Sequence, residues 1–107
     1  MSVSASDVLK EIHACRMRQI GKGYDADHDD KHTDESIVQA AICYAAPQFV
    51  RGMKSGSVTI WQSLWPWALW HWDAEKSRRE ELITAAALLV AEIERIDRIS
   101  SSQPATS

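Results

Sequence analysis

Apolar residues recur at helical spacing in three stretches of this chain, separated by runs that are polar, glycine-bearing or rich in turn formers. In the first, Val8, Ile12, Cys15 and Gln19 share one stripe, with Leu9 and Ile20 beside it. This predicts an amphipathic helix over 6–20, opened by Ser4 or Ser6 and stopped by Gly21 and Gly23. In the second, Ile37, Val38, Ala41, Ile42, Tyr44 and Ala45 form a small apolar face that a neighbouring helix can approach closely. That helix is expected over 34–46, capped by Thr33 with Asp34 and Glu35 in its first turn, and ended by Pro47. The third carries Leu82, Ala86, Leu89, Ile93 and Ile96 at spacings of 4, 3, 4 and 3, with Ile83, Ala87 and Val90 widening the seam. It predicts a helix over 76–99, opened by Asp73 or by a Ser77-x-x-Glu80 capping box, that buries one face and offers apolar surface to another subunit. Between 48 and 73 no period dominates: Gly52, Gly56 and nearby serines suggest a turn, and residues 58–61 suit a short strand, a loop or a helical turn.

These elements make a small all-α bundle of about three main helices with a tryptophan-rich connecting segment. One helical domain over 1–99 and a disordered polar tail over 100–107 are expected. A chain of 107 residues, 45% hydrophobic and 25% charged, has the make-up of an ordinary globular domain. A net charge of −3 offers no basic footprint for a nucleic acid backbone. The N-terminus has neither a basic nor an apolar leader region, and no apolar stretch approaches the ~20 residues of a membrane span, so the expected location is the cytoplasm. Cys15 and Cys43 lack a metal-type spacing and read as buried, reduced thiols.

Chemistry concentrates in two places. Residues 24–35 hold His28 and His32 with Asp25, Asp27, Asp29, Asp30, Asp34 and Glu35. Such a loop can cap the next helix through its carboxylates, bind a ligand, or hold a metal, although it lacks the regular ligand order of a zinc or calcium site. The sequence specifies neither the metal nor any other cofactor. Trp61, Trp65, Trp67, Trp70 and Trp72 fall within twelve residues. A chain this short cannot bury all five, so two or three are expected in the core and at least one facing a groove or partner. Arg78 and Arg79 stand in the first turn of the last helix, where the macrodipole disfavours positive charge, either paired with Glu75, Glu80 or Glu81 or serving as an anion clamp. Arg16 and Arg18 either serve a similar role or neutralise the acidic loop.

At Arg18-Gln-Ile20, Gly23-Tyr24, His28-Asp-Asp-Lys-His32, Ala40-Ala-Ile-Cys-Tyr-Ala45, Trp65-Pro-Trp67 and Ala91-Glu-Ile-Glu-Arg-Ile-Asp-Arg98 the chain resembles a family of short phage and prophage proteins. The resemblance covers most of the chain. It departs at Tyr24, where tryptophan is the family's residue, and over 48–63, which look peculiar to this member. The arginine-bearing helix, the Gly-aromatic step and the acidic block are also similar to the ryanodine-receptor repeat domain. The two resemblances imply a phage accessory protein of the host cytoplasm, a helical module that captures a nucleotide-like host immune signal.

The leading expectation is thus a homo-oligomeric binding protein, self-associating through its last helix, that takes an anionic ligand with a flat base and performs no chemistry on it. Its expected site comprises Arg18, Tyr24, His28, Asp29, Asp30, His32, Trp65, Trp67, Arg78 and Arg79. Two alternatives stand beside it. An all-α, metal-dependent nucleotide pyrophosphohydrolase would use Glu94-x-x-Asp97, with Asp27-x-x-Asp30 as a poor second half. An inhibitor of a host protein would present exposed tryptophans to its target.

Overall fold

A computed structural model describes residues 4–67 and 72–102. The chain folds as a small all-α domain in which α1 (Ala5–Gly21), α3 (Ser36–Ala45) and α6 (Arg78–Ser102) are the principal helices. Short helices α2 (Ala26–Asp29), α4 (Gln48–Arg51) and α5 (Ile60–Leu64) and the hairpin strands β1 (Lys54–Ser55) and β2 (Val58–Thr59) fill the connections. The three expected long helices are present. Among the described residues no helix is long and apolar enough to cross a membrane.

The helix starts follow local chemistry. Ser4 accepts from the Asp7 amide, and Asp7 reaches back to the Ser4 amide, a reciprocal capping box. Ser77 and Glu80 make the same arrangement at the start of α6. The start of α3 differs from the Thr33 cap expected: Asp34 Oδ1 accepts from the Ser36 amide at 3.1 Å, and Glu35 adopts the left-handed conformation with φ 66°. A non-glycine residue holds that conformation only where its surroundings fix it. Here buried Ser36 is tied to Asp34 through its amide and to His32 Nδ1 through Oγ at 2.9 Å. The hydrogen bonds from Ser36 hold the Asp34 carboxyl below its ordinary range. The acidic segment expected as a loop contains one helical turn, α2, capped by Asp25. In the segment without a period, Gly56 at φ 69° turns the hairpin, and Thr59 with Gln62 caps α5. α6 continues through Ser102, three residues past its expected end; residues 103–107 of the expected tail lie outside the described residues.

α3 packs against α6, and α1 lies along another side of α6. The core is built from Ala40, Ala41, Cys43, Tyr44, Trp65 and Ala85, with Trp61, Leu64, Trp67, Trp72 and Leu88 against it. Alanines at the α3/α6 contact bring the backbones close, and the tryptophans supply the area that alanine lacks. Tyr44 stacks on Trp72 at 4.4 Å and meets Trp65 edge-on at 5.7 Å. Burial raises the Tyr44 hydroxyl above its ordinary range and pushes the Cys43 thiol up to about 11. Both cysteines are free and buried. Ile42 and Ala45, expected on the inner face of α3, are exposed, and Ala40 and Cys43 take their places.

The inner face of α6 is not the aliphatic seam. Its buried residues are Glu81, Thr84, Ala85, Ala87, Ala91, Glu92 and Arg95, whereas Leu82, Leu89, Ile93 and Ile96 are 44–58% exposed. The polar members are satisfied: Glu92 is paired with Arg95, Thr84 donates to the Glu80 carbonyl at 2.8 Å, and Arg51 grips Glu81 in a two-point pair at 2.6 and 3.0 Å. Arg51 also lies over the Trp72 ring at 5.4 Å. Arg78, a candidate ligand residue, instead caps the C-terminus of α3, donating to the carbonyls of Tyr44, Ala45 and Ala46.

Burial alone would raise the Glu81 carboxyl, but the hydrogen bonds and charges of Arg51 and Arg78 outweigh it and hold Glu81 below its ordinary 4.5. With the folded value depressed, the unfolded chain binds the extra proton first, so this contribution is complete above pH 4.5 and is lost as pH falls through the folded value. Glu81→Gln is therefore expected to lower stability at neutral pH and to flatten the acid limb of a stability-against-pH curve measured by urea unfolding.

Candidate functional site

A cavity of about 490 Å³ opens between α1, α6, the acidic segment and the tryptophan-rich connection. Its position follows from Arg16, which is 4% exposed on the inner side of α1. An arginine in such surroundings must satisfy every donor it can, and this one does so with groups from the acidic segment and from α6. Nη2 donates to Asp29 Oδ2 at 2.8 Å, Nη1 to the Tyr24 carbonyl at 2.9 Å and Nε to Glu94 Oε1 at 2.8 Å. The acidic loop is thereby drawn against α1 and α6. Of the two roles open to Arg16, it neutralises the loop.

Asp29 is equally buried, and its second oxygen lies 3.0 Å from His28 Nδ1. That contact orients the His28 ring and starts a run of ring contacts. Tyr24 meets His28 at 4.9 Å, His28 meets His32 at 4.7 Å, His32 meets Trp67 at 5.6 Å, and Trp67 meets Trp65 at 5.5 Å. The histidines, far from any tryptophan in sequence order, thus join the tryptophan cluster through a run of edge-on and tilted ring contacts.

Seven of the ten expected site residues line the cavity: Arg18, Tyr24, His28, Asp29, Trp65, Trp67 and Arg79. Asp29 is already held by Arg16, and Arg79 is paired with Glu11. The other three lie elsewhere. His32 stands behind Trp67 and His28 and is tied to Ser36; Asp30 is paired with Arg98 on the outside at 2.8 Å; Arg78 caps α3. The cavity wall also includes Gln19 and Tyr44, expected on the apolar faces of their helices, and Lys22 and Lys76, none of which was expected in the site. A signal for Lys22 existed: it stands four residues after Arg18, the helical interval that puts both on one face.

Two kinds of group at the wall remain uncommitted. Gln19 Oε1 and Trp67 Nε1, behind the wall, are buried atoms with no hydrogen-bond partner among the described residues, a costly state for an acceptor and a donor. Arg18 and Lys22 have no ion-pair partner among the described residues. They sit at the C-terminal end of α1, whose dipole favours positive charge there.

Trp65 is buried and Trp61, Trp67 and Trp72 are half-buried against the core, while Trp70 lies outside the described residues. Of the carboxylates a pyrophosphohydrolase would use, Glu94 is held by Arg16 and Asp30 by Arg98. Among the described residues no group of three or more His, Cys, Asp or Glu side chains is placed to hold a metal ion. No protein-family model, no curated protein and no solved structure matches the chain.

The Arg16–Asp29 pair is buried on both sides, so removing one partner leaves an unpaired charge. Arg16→Met is expected to cost about 3–5 kcal/mol, a large share of the ~5–15 kcal/mol that holds a domain together. Adding Asp29→Leu to it should recover much of that loss, because the stranded carboxylate is gone. A double-mutant cycle by urea unfolding checks this; additive losses would mean that the pair is not coupled.

Proposed function

We propose that the chain is a binding protein that captures a small anionic ligand with a flat ring, of nucleotide type, in the cavity beside α1. What supports this reading most is the coexistence, on one wall, of the rings of Tyr24, His28 and Trp67 with the cations Arg18 and Lys22, unpaired among the described residues. A core filler needs the rings but not the cations. A cavity of about 490 Å³ falls within the ~300–1,000 Å³ of small-molecule sites, ample for a nucleotide. A base would stack on the rings, while phosphate oxygens would face Arg18 and Lys22.

Arg16, Asp29 and His28 are positioning groups in this reading: they hold the aromatic wall against α1. No reaction is required of them. With the resemblance to short phage proteins, the biological role proposed is a sponge, acting in the host cell by removing a nucleotide-like defence signal from solution.

Native mass spectrometry of the protein purified from cells, then denaturation and analysis of what is released, tests for a resident ligand. Calorimetry with a panel of nucleotides and cyclic nucleotide signals identifies its class. Arg18→Ala with Lys22→Ala is expected to weaken binding at least about tenfold, as loss of charge-assisted hydrogen bonds does, with helix content unchanged because both side chains stand at the solvent edge. Trp67→Phe should weaken it less by retaining a ring. Absence of heat with every nucleotide, together with a protein that releases nothing, would overturn the reading. Recovery of chemically altered nucleotides would replace it with the hydrolase.

A further inference from the structure

We propose that His28 reads the ring edge of the captured ligand, presenting a bare Nε2 that accepts a hydrogen bond from an N–H or amino group and disfavours phosphate beside it. This rests on the nucleotide-type reading of the cavity beside α1 and adds which edge of the ring the site selects.

The tautomer of His28 is set by a chain of committed groups. Arg16, 4% exposed, donates to the Tyr24 carbonyl, to Glu94 and to Asp29. Asp29 is 3% exposed; its Oδ2 accepts from Arg16 Nη2 at 2.8 Å, and its Oδ1 lies 3.0 Å from His28 Nδ1. A carboxylate paired with a guanidinium accepts and has no hydrogen to give, so Nδ1 carries the hydrogen of that contact. In the neutral imidazole the other nitrogen, Nε2, is then a bare acceptor. Turning the ring over would set a carbon against Asp29 Oδ1 and leave a buried carboxylate oxygen short of a partner. His32 marks the difference: its Nδ1 faces the Ser36 hydroxyl at 2.9 Å, which can donate or accept, so that contact fixes no tautomer.

Nε2 is open to a ligand. His28 lines the cavity with 32% of its side chain exposed, and Nε2 makes no hydrogen bond among the described residues. Unlike Gln19 Oε1 and Trp67 Nε1, it is not a buried atom. A lone pair backed by a carboxylate repels phosphate oxygens and ring nitrogens that carry no hydrogen, and it attracts a donor. The anionic end of the ligand goes instead to Arg18 and Lys22 at the C-terminal end of α1. The ligand class that fits both is a nucleotide whose base offers an N–H or amino donor. A site built around such a contact rejects an analogue of the same shape that lacks the donor.

Two measurements test this at about pH 8.5, well above the ~6.5 at which an ordinary imidazole titrates. Nitrogen-15 NMR of the ligand-free protein, with the His28 ring assigned through its backbone, is expected to show a protonated Nδ1 and a bare Nε2. The opposite tautomer overturns the proposal whether or not any nucleotide binds. Calorimetry then compares the monophosphates of adenosine, guanosine and purine riboside, the last having no N–H donor on its ring. At least one of the first two is expected to bind roughly fivefold or more tightly than the third, as one hydrogen bond allows. In His28→Asn, whose amide can still donate to Asp29 but offers nothing at the place of Nε2, that gap should close to within about twofold. Equal affinity for all three in the unmodified protein, or a gap that survives in His28→Asn, overturns the role of His28 and leaves the cavity reading standing. Failure of all three to bind overturns both. Should His28→Asn not fold, the tautomer and the three-ligand comparison on the unmodified protein decide.

Discussion

A guanidinium taken out of water must bring its partners with it, and in this protein that requirement assembles the domain. Arg16 reaches the carbonyl of Tyr24, the carboxylate of Asp29 and the carboxylate of Glu94, three groups on two segments, the acidic segment and α6. An apolar contact at the same place would be tolerant of sliding, whereas a planar fork accepts its oxygens only in set directions. The acidic segment, which has no hydrophobic reason to fold back, is held for that reason. Asp29 then orients His28, and His28 begins the run of rings that ends in the core at Trp65 and Tyr44.

A second arginine does comparable work at the other end of the molecule. Arg51 holds Glu81 at the start of α6 and lies over Trp72, while Arg78 closes the end of α3. Between these two polar anchorages the α3/α6 contact is made of alanine, which brings helices close but buries little area. The tryptophans make up the difference, and because they enter from a connecting segment instead of from a helix face, they leave a space beside α1. The cavity is a consequence of that division of labour: charged groups set the spacing of the segments, rings fill one side of the gap, and the other side remains lined by Gln19, Arg18 and Lys22.

The same economy explains the two faces of α6. Its inward side already has Glu81, Thr84, Glu92 and Arg95 in paired or hydrogen-bonded positions, and Leu82, Leu89, Ile93 and Ile96 lie on the exposed side. The pattern of apolar residues identified the helix and its period but assigned its core to the wrong side. Periodicity alone is blind to which of two stripes faces in when a helix carries an aliphatic stripe on one side and a small, ion-paired stripe on the other.

Local chemistry was therefore legible from the chain. The caps at Ser4 and Ser77, the stops at Gly21 and Pro47 and the three long helices depend on residues within a turn or two of each other, where spacing and side-chain type decide the outcome. Part of the site was legible as well, since a stretch dense in histidine and aspartate and a cluster of tryptophans are visible as composition. Their union was not. That His28 and His32 lie in ring contact between Tyr24 and Trp67, that Arg78 serves a helix end while Arg18 and Lys22 face a cavity, and that Asp30 turns outward to Arg98 while its neighbour Asp29 turns inward to Arg16 are settled by pairings between distant segments. Adjacent carboxylates are chemically identical as sequence. Only the tertiary structure separates them, because a buried charge is held where a counter-charge reaches it, and which arginine reaches which aspartate depends on how the helices cross.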